Sequence, residues 1–434
     1  MSDADTIFAR SSGAPPAGIA VIRASGAGVR FGLETLVGRV PEPRVATLAT
    51  LRAPDGSVLD KAIVLFFPAP ASFTGEDVAE LHVHGGRAVI AAVLQALAAL
   101  PGHRPAIAGE FTQRAFRNGR ADLTEVEGLA DLIAANSEMQ RRLALEQAGG
   151  GLRLRAEAWR SRLVEARAQV EAELDFVDEA DVPDGVGSAA AGIAAAVAKE
   201  IAAALEDAAF AERVRDGFEV VLLGAPNVGK SSLLNALAGR EAAIVTAEAG
   251  TTRDPIEVTM EIEGYAVTLV DTAGLREAEN IVEREGVRRA RARGEAADLV
   301  LLLVDHDEGD LPPARDGAVK VRTKTDRNPP SDSDAKRIDV AISAVTGAGL
   351  AELRCIIASR LGLLAPRRPL VVRLRQRREL GAALEALQQA GREPAAELMA
   401  ERLRQAGDAL GRLTGRIDVD EWLDVIFREF CIGK

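Results

Sequence analysis

The sequence predicts a multidomain chain, α/β plus all-α, in which one α/β domain is inserted into a discontinuous helical domain and another precedes it. Three observations predict this. The first 120 residues read as mixed strands and helices. Long helical patterns take over from about Asp122 and return after Pro366. Between them, from Phe218 to about Leu361, strand and helix patterns alternate as in βαβ units around a parallel sheet. The limits that follow are 1–120 for the first domain, 121–212 and 366–434 for the two helical parts, and 213–365 for the insertion. A chain of 434 residues exceeds one ordinary core, and about three domains is the expectation.

In the first domain, GIAVIR (18–23) and KAIVLFFP (61–68) have strand patterns bounded by Gly and Pro. AVIAAVLQALAAL (88–100) has the length and Ala/Leu content of a buried helix, ended by Pro101-Gly102. The helical part opens with Leu123, Val126, Leu129, Ala130 and Ile133 at helical spacing, with few breakers before Gly149-Gly150-Gly151. A second helix is expected from about Leu152 to Phe176, a loop over 178–188, and an Ala-rich third helix over about 188–210. LRQRRELGAALEALQQAG and AAELMAERLRQAGDALGRL then supply helices for the second part, which is expected to pack on the first. Aromatic residues make up only 3% of the chain, so the helical core must rest on Leu, Ile, Val and Ala.

The formal charge of −12 argues against a broad, nonspecific nucleic-acid surface. Residues 1–120 carry twelve Lys plus Arg against ten Asp plus Glu, so a local basic patch stays open there, as does an RNA substrate delivered by a partner. The two cysteines, Cys355 and Cys431, fit a reducing compartment and have no zinc spacing. MSDADTIFARSS is acidic where a signal peptide would be basic. No run reaches the roughly 18 apolar residues of a membrane span. A soluble, cytoplasmic protein is expected, with no membrane association.

Gly224-Ala-Pro-Asn-Val-Gly229-Lys230-Ser231 matches the phosphate-binding pattern G-x-x-x-x-G-K-[ST]. Glycines let backbone N–H groups converge on phosphate oxygens, Lys230 neutralises β/γ charge, and the Ser231 hydroxyl reaches magnesium. By residue frequencies the match arises by chance in about one such chain in a hundred. Here it follows the strand FEVVLLG and opens the apolar helix SSLLNALAG, which removes the reading as an ordinary strand–turn–helix. YAVTLV then ends in Asp271-Thr-Ala-Gly274, where Asp271 would hold Mg²⁺ through water and the Gly274 N–H would meet a γ-phosphate. Thr251-Thr252-Arg253-Asp254 stands where a switch threonine belongs. Ser343-Ala344, after IDVAIS, is placed to touch a guanine carbonyl through backbone. Thr323-Lys324-Thr325-Asp326 departs from the usual Asn-Lys-x-Asp. Asp326 still accepts from the guanine N1 and N2 hydrogens, which excludes adenine, and Lys324 lies along the base. The absent Asn amide is expected to cost a contact near purine N7 and a brace to the phosphate loop. A Ras-like P-loop G domain hydrolysing GTP follows from these words.

Further signatures lie outside this domain: Ser72-Phe-Thr-Gly-Glu-Asp-Val-Ala-Glu80 with Leu-His-Val-His-Gly-Gly86, Ala108-Gly-Glu-Phe-Thr-Gln-Arg-Ala-Phe-Arg-Asn-Gly-Arg-Ala-Asp-Leu123, and the terminal Cys431-Ile-Gly-Lys434. Together with Asn227-Val-Gly-Lys-Ser, Gly250-Thr-Thr-Arg-Asp and Asp271-Thr-Ala-Gly-Leu-Arg-Glu277, they resemble the MnmE (TrmE) family of tRNA-modification GTPases over nearly the whole chain. The resemblance implies an N-terminal α/β domain that binds a tetrahydrofolate derivative (5-formyl- or 5,10-methylene-tetrahydrofolate) through Arg23, Glu80, Arg120 and Lys434 and joins a homodimer. Arg120 replaces the family's usual Lys; it can still pair with a folate glutamate carboxylate, in different geometry. The resemblance also implies a heterotetramer with the FAD-containing partner MnmG, acting on C5 of the wobble uridine of certain tRNAs. GTP contacts are implied for Asn227, Val228, Gly229, Lys230, Ser231, Ser232, Thr246, Ala247, Glu248, Ala249, Gly250, Thr251, Thr252, Asp271, Thr272, Ala273, Gly274, Thr323, Lys324, Asp326, Ser343 and Ala344. It assigns K⁺ to Asn227, Thr246, Glu248 and Thr251, and Mg²⁺ to Ser231 and Thr252. Residue 275 is Leu where a Ras-like enzyme has a water-orienting Gln. The family's answer is K⁺ in place of an arginine finger when two G domains meet, with Glu283 orienting water, so Glu283 joins Lys230 as catalytic.

Several residues carry competing readings. Cys431 has the position of a prenylation cysteine, but Ile-Gly-Lys follows it, which rejects lipidation; placement near the folate is preferred to covalent chemistry. His82 and His84 share a strand face but lack further ligands at zinc spacing, so packing or a folate-pocket role is preferred. Glu283 on its own belongs to a solvated Glu/Arg-rich helix, and only the resemblance raises it. Arg288–Arg293 reads as a salt-bridged face before an RNA contact, and Arg253 is the alternative arginine finger. The rival function is a regulatory GTPase of ribosome assembly, which would lack the SFTGEDV and CIGK words; an ATPase conflicts with Asp326.

Overall fold

Period-two alternation in the first domain builds a six-stranded sheet with one buried face. Its strands are β1 (Thr6–Arg10), β2 (Ala17–Ser25), β3 (Thr47–Arg52), β4 (Val58–Phe67), β5 (Val78–Gly85) and β6 (His103–Pro105), in the order β3-β4-β5-β2-β1-β6. The pairs are antiparallel except β1 with β6. The computed structural model describes residues 5–175, 186–239, 256–271, 295–305, 316–329, 337–365, 367, 369–393, 395–417, 427, 430 and 433. Ala20, Ile22, Ala24, Val64 and Phe66 point into a core closed by α1 (Val29–Val37) and α2 (Arg87–Ala98). On the other face Ile19 is 63% exposed, Leu48 62% and Ile63 43%. The register aligns Val21 with His82, His82 with Ile63 and Ile63 with Leu48, so these residues form one cross-strand row. The chain continues through α3 (Glu110–Arg117), α4 (Leu123–Ala134), α5 (Glu138–Ala148), α6 (Gly151–Asp175), α7 (Val186–Glu206) and α8 (Ala208–Asp216).

The second sheet comprises β7 (Phe218–Gly224), β8 (Ile256–Ile262), β9 (Tyr265–Asp271), β10 (Leu299–Val304), β11 (Val319–Arg322) and β12 (Val340–Ala341). Its order is β12-β11-β10-β7-β9-β8, parallel except for the β8–β9 hairpin. The central strands are continuous apolar runs, as a sheet covered on both faces requires. Val220, Leu222, Leu269, Leu301 and Leu303 share a core with Leu233 and Leu237 of α9 (Lys230–Ala238) and with Leu353 and Ile357 of α10 (Leu350–Arg360). Among the described residues the remaining helices are α11 (Leu374–Ala390) and α12 (Ala396–Thr414); α12 packs on α6 and buries Leu403 and Leu410, while α6 buries Trp159 and Leu163. The chain divides into two compact units: Met1–Ala130, Glu146–Lys199 and Glu379–Lys434 form one, and Asp131–Leu145 and Glu200–Arg378 the other.

Two expected helices are interrupted. The pattern from Leu123 breaks between Ala134 and Glu138, where Asn136 N donates to Gln140 Oε1 at 2.8 Å. Local side-chain bonds of this kind compete with the helical ladder. The restarted helix puts Met139 N 2.9 Å from Gly264 O at the tip of the β8–β9 hairpin. The Ala-rich helix breaks at Asp207, and α8 then carries Phe210 into an aromatic cluster, 5.8 Å from Phe218 and 6.0 Å from Tyr265. The expected strand in IDVAIS shortens to Val340–Ala341. The segment 176–185, most of the expected loop, lies outside the described residues.

Helix α4 opens with a reciprocal cap. Asp122 Oδ1 accepts from Glu125 N and Thr124 Oγ1, both at 2.8 Å, and Asp122 N donates to Glu125 Oε2 at 2.8 Å. Asp122 Oδ2 is buried without a partner among the described residues, and burial pushes the carboxyl up to about 6. A folded-state value raised above the unfolded one contributes stability that is present at low pH and is lost as pH rises through about 6. Asp122→Asn keeps the cap acceptor without the buried charge. At pH 7 it should melt no lower than the parent, with an advantage on the order of 1–2 kcal/mol that shrinks as pH falls through about 6 and has largely disappeared at about pH 4. Thermal unfolding of both proteins at the two pH values measures this; a difference independent of pH would mean that Asp122 does not titrate in this range.

Candidate nucleotide site and N-terminal polar cluster

The phosphate-binding pattern occupies the carboxyl end of β7, flanked by β9 and β10, where the strand order reverses. Open α/β sheets bind ligands at such a point. Gly224 has φ +154°, and a Cβ there would stand 2.6 Å from Leu303 O, so no other residue fits. Asn227 at φ 63° and Gly229 at φ 105° turn the loop into α9. The Lys230 ammonium is buried and donates to Gly224 O at 2.9 Å and Ala225 O at 2.8 Å. Ser231 Oγ donates to Asp271 Oδ2 at 2.8 Å. The structure therefore brings a hydroxyl and a carboxylate from distant segments together beside the loop, a hard oxygen set that fits Mg²⁺.

Next to the loop is a cavity of about 150 Å³ whose lining includes Gly229, Ser232, Thr323, Lys324, Asp326 and Ala344. Ser343 Oγ donates to Asp326 Oδ1 at 2.7 Å, and this bond holds the carboxyl below its ordinary value, hence ionised and able to accept. Lys324 Nζ donates to Asn227 O at 2.6 Å and to Asp305 Oδ2 at 2.8 Å. One expectation is corrected here. The buried Thr323 hydroxyl donates to Val228 O at 2.6 Å, so the brace to the phosphate loop, expected to vanish with the Asn amide, is present. The Thr side chain is short, but β11 ends close enough to the loop for its hydroxyl to span the gap.

In the N-terminal domain, Arg23 and Glu80 are cross-strand partners on the exposed sheet face. Arg23 Nη2 and Nε lie 2.8 and 3.1 Å from Glu80 Oε1. The guanidinium stands over Phe73 at 5.4 Å and Phe111 at 5.9 Å. His82 Nε2 lies 3.3 Å from Glu80 Oε2, whereas His84 turns to Asp60, its Nδ1 2.8 Å from Oδ1. Arg120 borders the same Ser72–Asp77 segment as Phe73, its Cγ 3.1 Å from where a Cβ of Gly75 would be. The segment itself is tied down by Ser25 Oγ, 2.7 Å from both Thr74 Oγ1 and Glu76 Oε2. Gly433 returns to this domain: Ser11 Oγ donates to its carbonyl at 2.7 Å, and at φ +105° a Cβ would stand 2.1 Å from Arg10 O.

Thr246, Ala247, Glu248, Ala249, Gly250, Thr251, Thr252 and Arg253 lie outside the described residues, as do Thr272, Ala273, Gly274, Glu283, Arg288–Arg293, Cys431 and Lys434. Asp305, the partner of Lys324, escaped the sequence analysis because it follows β10 without any motif around it. Phe73 and Phe111 were missed because a loop and a helix bring them under Arg23. The side-chain role of Ser343 was missed because only its backbone was assigned. Among the described residues no cluster of His, Cys, Asp and Glu could hold a metal by itself, and no helix is long and apolar enough to cross a membrane.

A phosphate loop at the sheet's switch point, a Ser–Asp pair suited to magnesium and an Asp-based purine pocket define a P-loop GTPase. Residues 6–120 match the family model described as GTP-binding protein TrmE N-terminus, and residues 123–431 match the MnmE helical domain. The tRNA modification GTPase MnmE of Rhizobium meliloti (strain 1021) is 52% identical, covering 100% of both chains. That of Azorhizobium caulinodans is 53% identical over 99% of each. Among solved structures, the G domain of the T. maritima FeoB iron transporter is 29% identical, covering 33% of this chain and 98% of that one at a TM-score of 0.25. The chain belongs to the MnmE family of tRNA modification GTPases, and it is a GTP hydrolase.

Gly224→Ala puts a Cβ against Leu303 O at the end of β10, so the loop must shift to relieve the contact. Affinity for a fluorescent GDP analogue is expected to fall by more than about tenfold, with the far-UV spectrum unchanged. Unchanged affinity would show that the loop shifts away from Leu303 at no cost.

Proposed function

We propose that the chain is a K⁺-activated GTPase that works as a homodimer with the FAD-containing partner MnmG. It modifies C5 of the wobble uridine of certain tRNAs in the cytoplasm, using a tetrahydrofolate one-carbon donor. The observation that carries this reading is the anchoring of the C-terminus: Gly433 seats on Arg10 and Ser11, in the same compact unit as Arg23 and Glu80. Terminal Lys434 and Cys431 belong to the same short word as Gly433. A folate offers a flat pterin and acidic glutamate carboxylates. Arg120 is a cation for the carboxylates, the mutually bonded Arg23 and Glu80 offer donors and an acceptor to the polar edge of the pterin, and Phe73 gives a flat apolar support. The exposed apolar residues Ile19, Ile63 and Leu48 on one face of that sheet support pairing of two such domains.

In the G domain, Lys230 offsets charge on the β- and γ-phosphates and the phosphate-loop amides hold them. Ser231 and Thr252 are the protein ligands we assign to Mg²⁺, with Asp271 acting through water. Asn227, Thr246, Glu248 and Thr251 are those we assign to K⁺, which would supply the positive charge that an arginine finger supplies elsewhere. Leu275 has no group to orient water; Glu283 takes that task. Asp326 reads the N1 and N2 hydrogens, and the Ala344 backbone meets the guanine carbonyl.

The test is the steady-state GTPase rate in KCl against NaCl at matched ionic strength. Potassium should raise the rate by about tenfold or more, and Glu283→Ala should remove most of that rate. Equal rates in both salts would sink the ion-activated mechanism. For the folate reading, Gly433→Ala must displace the C-terminus from Arg10. Binding of 5-formyl-tetrahydrofolate should weaken by about tenfold or more while GDP affinity stays that of the parent; unchanged folate affinity would separate the C-terminus from the folate site.

A further inference from the structure

The hydroxyl of Thr323 has one proton to give. Its two neighbours within bonding distance are both backbone carbonyls, Val228 O at 2.6 Å and Val304 O at 3.2 Å. The side chain is only 4% exposed, and the backbone N–H of Thr323 is itself committed to Val304 O at 2.7 Å. Whichever carbonyl takes the hydroxyl proton, none is left for a ligand. An Asn amide in this place would carry two N–H donors, enough for one carbonyl and one ligand atom.

The lining of the purine cavity fixes what that means. Asp326 is an acceptor and can meet only the donor edge of guanine, N1–H and N2–H₂. A planar purine held by that edge turns its opposite side, which carries N7, away from Asp326. Thr323 and Gly229 are on the cavity wall nearest the phosphate loop, with Thr323 Oγ1 3.9 Å from where a Gly229 Cβ would be. N7 is a pure acceptor, and from Thr323 it meets lone pairs without a proton.

We propose that Thr323 is a positioning residue that clamps the phosphate loop through Val228 and leaves the N7 edge of the base unread. The site therefore accepts guanine nucleotides altered at position 7, such as 7-deazaguanosine diphosphate, as readily as GDP. This rests on the assignment of the cavity to guanine.

The experiment is a set of dissociation constants for GDP, 7-deaza-GDP and ADP on the full chain, by isothermal titration calorimetry, for the parent and three variants. The parent should bind GDP and 7-deaza-GDP within about twofold of each other, because the exchange of N7 for C–H removes no hydrogen bond. Thr323→Val leaves the Val228 carbonyl buried and unmet, so both affinities should fall together by about tenfold, and Thr323→Ser should restore both. Thr323→Asn should acquire a preference for GDP over 7-deaza-GDP of several-fold, on the order of one hydrogen bond. A parent that disfavours 7-deaza-GDP by about tenfold or more would overturn the unread edge. Parent-like GDP binding by Thr323→Val would overturn the clamp. If ADP competes equally with GDP, the guanine assignment itself fails; if GDP alone binds but rejects the 7-deaza analogue, only this inference does.

Discussion

The nucleotide site depends on a stretch of backbone held where a chain does not willingly go. Gly224, Asn227 and Gly229 all have positive φ, at 154°, 63° and 105°. Turning successive N–H groups toward one point requires such a path, and fixing each residue in one well costs roughly 1–2 kcal/mol of conformational entropy. The loop carbonyls, which necessarily point the other way, become the handles by which the structure holds it. Lys230 takes those of Gly224 and Ala225, Lys324 takes that of Asn227, and Thr323 takes that of Val228. Three side chains thus satisfy four of the five carbonyls from Gly224 to Val228.

Those handles are in reach because of strand register. Leu222 pairs with Asp271, which puts the carboxylate at the mouth of the loop within 2.8 Å of Ser231. Gly224 pairs with Leu303, the contact that forbids a side chain at Gly224. Val304 pairs with Arg322, so the next residue, Thr323, emerges beside Val228. A one-residue slip of either strand would invert its side chains and separate metal, phosphate and base functions. The continuous apolar runs of β7, β9 and β10 bury those strands on both faces, and the site inherits its precision from them.

The motif words were legible because phosphate and guanine chemistry restrict residue type at fixed spacing. G-x-x-x-x-G-K-S, DTAG and the Lys-x-Asp remnant each name an atom that must meet a ligand. The inserted parallel α/β domain and flanking helices were legible from the change of period at Phe218 and after Pro366. The clamp by Thr323 was not, since a Thr-for-Asn exchange reads as a loss until the 2.6 Å approach of Val228 O is known. Helix breaks at Asn136 and Asp207 escaped for a related reason. One rests on a local Asn–Gln bond and the other on where Phe210 must go, and neither alters the apolar periodicity. Arg23 and Glu80 could be read as neighbours only by way of the family resemblance, because cross-strand pairing is set by β2–β5 register.

The sequence left open a basic patch on the N-terminal domain, and side-chain pairing bears on it. Arg104 is bonded to Glu110 and Asp5, Arg114 to Glu76 and Glu110, Arg30 to Asp77, and Arg23 to Glu80. A guanidinium whose fork already grips a carboxylate gives little to a phosphate, since binding there must first break a charge-assisted pair. The slight local excess of Arg over acid therefore does not translate into an RNA-binding surface among these residues. On the proposed function, a chain with net charge −12 approaching a polyanion needs its cationic contribution from elsewhere. On that proposal the FAD-containing partner would have to supply it. On the proposed function the same pairing suits a small neutral ligand: Arg23 and Glu80 are held in one orientation beside Phe73, so a ligand edge that uses their remaining donors and acceptor need not break the pair and loses less entropy on binding.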